Sequence, residues 1–151
     1  MQSKIEEWIL NFVSVHNEKL NNIPCPYAKK ALVRYVETEQ IGSELHQCNI
    51  NWSDAYEVVC IYTPTNLYTV KEVKDLVNKF NKNDMDLVAL EDHPNDEEVI
   101  NGVKMNFGKC ILVLVQRLSK LTEASNHLKA KGYYEKWSKE NLDDVVNWRN
   151  K

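Results

Sequence analysis

The residues with the most chemical potential sit in the turn Pro24-Cys25-Pro26-Tyr27-Ala28. Two prolines remove backbone donors and fix local dihedrals, so the turn is rigid and presents one thiol between them. An accessible thiol attacks electrophiles once its pKa is lowered. Lys29 and Lys30 follow one turn onward if the chain becomes helical after Pro26, and would favour the thiolate. The structural alternative is a small thiol packed beneath a rigid turn, a common use of free cysteine.

His93 is the second candidate. It ends a short β-rich segment and is held by Pro94, a setting in which an imidazole faces a cleft and serves as base or ligand. Asp92 would orient the ring or face solvent, and the plainer reading of His93-Pro94 is a strand-terminating turn. Gln116 and Arg117 follow the most apolar segment and precede a helix, so Arg117 lies near a helix N-terminus, where an anion is favoured. Arg34 is expected on the same side of the sheet. Cys25 and His93 thus form a candidate catalytic pair, with Lys29, Arg34, Asp92, Gln116 and Arg117 as the candidate substrate-binding set. The alternative for the two arginines is a pair of solvated side chains with local ion pairs. No metal site is expected, because His16, His46, His93 and His127 are scattered and no H-x-x-x-H or C-x-x-C spacing occurs. No P-loop, G-x-G-x-x-G or G-x-S-x-G is present, and no cofactor is expected.

The elements that must position these residues are legible in part. Ser3-Lys4-Ile5-Glu6 spells a capping box, and Ile5, Trp8, Ile9, Phe12 and Val13 follow at helical spacing, so a helix precedes the proline turn. Residues 32–38 alternate as a first strand, residues 40–55 are polar and mixed with at most a short helical piece, and residues 58–62 are a continuous apolar run, a central strand. Thr69-Val70-Lys71-Glu72 is a second capping box, leading a helix with Val73, Leu76, Val77 and Phe80 on one stripe. Residues 87–90 read as a strand and Asn101-Gly102 as a turn. Residues 110–115 are the most hydrophobic strand, followed by a helix that Gly132 closes. Cys60 and Cys110 fall in buried strands as core residues. Ser138 N-caps a last helix, and Tyr133-Tyr134 with Trp137 read as an aromatic lid anchoring it or as an interface patch. The order α, β, β, α, β, β, α, α predicts an α+β fold. Its expected form is a single-layer, antiparallel or mixed four-stranded sheet with helices mainly on one face, ferredoxin-like in character.

Composition bounds the partners. The 151 residues fit one domain, with residues 133–151 as a helical extension. Net charge is -3, from 19 basic and 22 acidic residues mixed along the chain, which gives no broad positive field for nucleic acid. The longest apolar run is too short for a bilayer and the N-terminus lacks a signal-peptide core, so a cytoplasmic protein is expected, with its four cysteines as free thiols.

Trp8 in the opening helix, Asn22 to Lys29 around Cys25, His93-Pro94, and a Leu-rich helix with Glu123-Ala124-Ser125 form a recognisable set. It resembles an uncharacterised bacterial family marked by an Asn-x-Cys-Pro-Phe-Ala-Lys-like turn and strands ending in His-Pro. Tyr27 stands for the Phe, and Thr63-Pro64 for the first His-Pro with its histidine lost. The resemblance implies no activity, but it pairs Cys25 with His93, and residues 132–148 fall outside it. The turn is also similar to a glutaredoxin Cys-Pro-Tyr-Cys motif, but Ala28 takes the place of the second cysteine, which excludes a dithiol cycle there.

Two functions of different class are therefore expected. One is a cysteine-dependent enzyme on a small anionic substrate, with Cys25 as nucleophile or thiol ligand and His93 as base. The other is a non-catalytic interaction or accessory domain that binds a partner protein through its aromatic C-terminal segment or a sheet face, homodimerisation through a sheet edge or the last helix being one form of it.

Overall fold

Apolar residues at consecutive positions, which alternation alone would not explain, mark strands covered on both faces, and two such strands form the centre of this molecule. The computed structural model describes residues 1–150, the last by its backbone alone, so Lys151 of the expected extension lies outside the described residues. The elements run α1 (Gln2–Trp8), β1 (Val33–Glu37), α2 (Ile41–Ile50), β2 (Val58–Thr63), α3 (Val70–Phe80), β3 (Leu87–Asp92), β4 (Val99–Ile100), β5 (Val103–Lys104), β6 (Ile111–Arg117), α4 (Leu118–Ala130) and α5 (Lys139–Val145). The main sheet has the order β1-β2-β6-β3. β1 and β2 are parallel, and β6 is antiparallel to both β2 and β3. Of the two sheet types the sequence allowed, the mixed one forms, giving an α+β fold.

The register sorts side chains onto two faces. On the first, Val36, Val59, Ile61, Ala89, Ile111, Val113 and Val115 pack against Ile41, Leu45 and Cys48 of α2 and Val73, Val77 and Phe80 of α3. On the second, Tyr35, Cys60, Tyr62, Leu112 and Leu114 meet Ile5 and Trp8 of α1, with Phe107 and Cys110. β2 and β6 serve both cores. Burying a valine or isoleucine side chain contributes roughly 2 kcal/mol, so these two strands contribute most of the apolar stabilisation.

Local signals formed with two exceptions. Thr69 caps α3, its hydroxyl accepting the Glu72 amide at 3.1 Å, and Ser138 caps α5 in the same way. Asn101 and Gly102, both with positive φ, turn the β4–β5 hairpin. The capping box at Ser3 does not form. α1 already begins at Gln2 with no side-chain cap, and Glu6 accepts a hydrogen bond from Gln2 instead of reaching back to the Ser3 amide. The second exception is α2, a ten-residue helix where only a short helical piece was expected. It is the crossover that makes β1 and β2 parallel. Beyond α1 the chain widens into one π-helical turn, Ile9–Val13, closed by the Ser14 amide and hydroxyl, both bonded to the Ile9 carbonyl.

Candidate functional site

Cys25 lies on the α1 side of the molecule. Its amide donates to the Val13 carbonyl at 2.8 Å, tying the proline turn to the end of the π turn. The thiol is half-buried, and burial pushes its pKa up, although the amides of Tyr27 and Ala28 bond to it and pull the other way. Lys29 and Lys30 are exposed on the 3-10 turn Ala28–Lys30 and are not among the groups acting on the thiol.

The C-terminal segment closes over this turn. α4 ends in a Schellman motif: Gly132, at φ 79°, donates to the Lys129 carbonyl, and the Tyr133 amide donates to that of Leu128. The reversal brings the Tyr133 hydroxyl 2.8 Å from the Ile23 carbonyl and 2.6 Å from that of Pro24. Burial, then the neighbouring Cys25, raise the phenol's pKa. Tyr134 packs edge-on to both Tyr133 and Trp137, its centroid 4.9 Å from that of Trp137, and Tyr133 lies tilted against Trp137. Tyr133, braced by Tyr134 and Trp137, is the residue of this segment that clasps the Cys25 turn.

His93 lies elsewhere, only 2% exposed. Its Nδ1 accepts the Asn95 amide at 3.0 Å, which assigns the ring proton to Nε2, 2.8 Å from the Tyr68 carbonyl. Both nitrogens are thus committed to backbone groups. Asp92 faces the second core, where its oxygens accept the Phe107 amide and the Asn106 side chain, and burial raises its pKa. Cys25 and His93 share no hydrogen bond and no bonded neighbour, so the structure does not join them.

Arg34 and Arg117 do share a face. Arg117 forks onto Asp54, Nε to Oδ1 at 3.0 Å and Nη2 to Oδ2 at 3.2 Å, donates to the Met85 carbonyl, and stacks 5.8 Å from the Trp52 ring centre. The α4 N-terminus beside it is filled by Asp86, whose carboxylate accepts the Ser119 amide and hydroxyl. Gln116 points to the opposite face, paired with Val58 and Val88. Trp52 continues into a cavity of about 170 Å³ between β1 and α2, lined also by Arg34, Val36, Glu44, Cys48 and Tyr56. Among the described residues, neither the Arg34 nor the Glu44 side chain has an ion-pair partner. Burial first, then Glu44, push the Cys48 thiol to about 11.

The two edges of the sheet differ. On β3 the Asn81 side chain imitates a neighbouring strand: its oxygen accepts the Ala89 amide at 2.8 Å and its nitrogen donates to the Ala89 carbonyl at 3.0 Å, while Asn83 donates to the Leu87 carbonyl. β1 has no such cover among the described residues. The Leu32 carbonyl and the Thr38 amide bond to β2, so by parallel-ladder alternation Arg34 and Val36 do too. The N–H and C=O groups of Val33, Tyr35 and Glu37 therefore face outward.

No protein-family model, curated protein or solved structure matches this chain. The resemblance around Cys25 and His93 thus rests on its short motifs. No helix among the described residues is long and apolar enough to cross a membrane, and no cluster of metal-ligating side chains occurs among them. Glu44, Trp52, Asp54 and Tyr56 were not picked out by sequence reasoning. The signal for the helix that carries Glu44 was Ile41, Leu45 and Cys48 at i, i+4 and i+7.

Proposed function

We propose that this chain is a non-catalytic protein-interaction domain that receives a partner at the open β1 edge, beside the cavity between β1 and α2. The observation that carries this reading is the contrast between edges: on β3, Asn81 and Asn83 cover both backbone groups of Ala89 and the Leu87 carbonyl, whereas β1 offers three unpaired backbone pairs next to a concave, aromatic-lined surface. The geometry supports a cysteine-dependent enzyme less well. Cys25 keeps its proton, its turn is clasped by Tyr133, and both nitrogens of His93 are spent on the backbone. A cytoplasmic setting belongs to the same reading, supported by four free thiols.

The test is selection of binding peptides from a random display library. Glu37→Pro removes one outward N–H while leaving every β1–β2 bond in place, and proline is tolerated on an edge strand. Peptides enriched on the native protein and lost on Glu37→Pro are expected. Enrichment that survives this substitution, or none at all with any partner, would refute the reading.

A further inference from the structure

We infer that the occupant of the β1 edge is a second copy of this chain, paired antiparallel through β1 about a two-fold axis at Tyr35. This rests on the reading of β1 as the binding edge and names what fills it.

Three observations converge on a self-complementary edge. The first is hydrogen bonding. The outward groups belong to Val33, Tyr35 and Glu37. With Tyr35 opposite its own counterpart, Val33 of each copy faces Glu37 of the other, and every outward N–H and C=O over the strand finds a partner. A shift by two residues in either direction leaves some of these groups unpaired. A shift by one places residues of opposite faces across from each other, which a continuous sheet forbids.

The second is charge. In this register Arg34 lies opposite Val36 of the other copy, in a non-hydrogen-bonded pair, the kind that brings side chains closest. Val36 lines the cavity that also holds Glu44 and Trp52. Arg34 lines the same cavity, so each copy offers one recess holding a guanidinium, a carboxylate and an indole with no ion pair between the two charges, and the register sets Arg34 of each copy against the recess of the other. A generic acidic peptide would satisfy Arg34 and repel Glu44, whereas a second copy satisfies both, twice.

The third is closure. A two-fold contact uses the same patch on both copies and ends there, whereas the middle of β3 is already covered by Asn81 and Asn83. Pairing at β1 therefore makes one continuous eight-stranded sheet, twice the four of one copy, and no fibre.

The test is sedimentation equilibrium of the full chain over a concentration series up to about 1 mM. The native protein is expected to reach twice its 17.6 kDa mass. Arg34→Glu and Glu44→Arg should each weaken the dimer by at least about tenfold, and the double variant should recover affinity to within about threefold of native, because the swap restores both pairs. Glu37→Pro should be monomeric with an unchanged far-ultraviolet spectrum. A native protein monomeric throughout, or a dimer indifferent to both single charge reversals, would overturn the inference. A monomer that still enriches peptides sensitive to Glu37→Pro would refute the second copy as occupant and leave the interaction domain standing.

Discussion

Cys25 shows how a sequence motif and its chemistry come apart at the scale of a residue. Prolines on both sides make the turn rigid, but rigidity serves burial here, and a thiol that keeps its proton is a poor nucleophile. At pH 7.5, iodoacetamide should therefore modify Cys25 more slowly than it modifies a free cysteine in a peptide, with the rate climbing only in alkali. Tyr133→Phe removes the hydroxyl that holds the Ile23 and Pro24 carbonyls, and should speed the modification by about threefold through loosening of the turn. Mass spectrometry of a timed alkylation reads both effects, and fast labelling of the native thiol would return Cys25 to the list of nucleophiles. His93 is tied by two buried hydrogen bonds, so His93→Ala should cost about 2–3 kcal/mol in urea unfolding. A neutral substitution there would free the ring for another role.

Among the elements, the edges are the informative level, since a strand's outer groups must be paired, covered or put to use. Asn81 and Asn83 follow α3 closely enough to fold back on β3, and nothing in their sequence context announces it. The same amide that caps a turn caps a strand only because α3 packs on the first face. Asn81→Ala should lower stability by about 1–3 kcal/mol, the cost of leaving a buried amide and carbonyl unsatisfied, and should add slow, irreversible aggregation through β3. Chemical denaturation followed by light scattering after overnight incubation checks both parts. Stability unchanged with aggregation absent would mean that β3 needs no cover, and the contrast with β1 would lose its meaning.

At the scale of the molecule, what was legible in the sequence was whatever its pattern expressed locally. The continuous runs at residues 58–62 and 110–115 announced central strands, Thr69 and Ser138 announced caps, and Asn101-Gly102 announced its hairpin turn. α2 was obscured because its three core residues stand among polar ones, and without that helix the parallel β1–β2 pair could not be foreseen. The site was less legible still, because Arg34, Glu44 and Trp52 meet only through tertiary packing. Both cores nevertheless share a property that can be measured on the whole fold: each buries thiols. Burial pushes Cys60 up to about 12 and Cys48 and Cys110 up to about 11, from an ordinary value of 9.0. Above pH 9 the unfolded chain releases protons that the folded chain retains, so this contribution is complete below that pH and is lost as pH rises through about 11 to 12. Tyr35, raised to about 12 by burial first and then by Cys60, acts in the same direction. The urea midpoint should accordingly stay level from about pH 7 to 8.5 and fall from there to about pH 10.5. Cys60→Ala should make that decline shallower relative to its own neutral midpoint, since it removes the most strongly raised thiol. A midpoint that rises in alkali would mean that thiolates are stabilised inside the fold, and would reopen the chemistry that burial of these cysteines argues against.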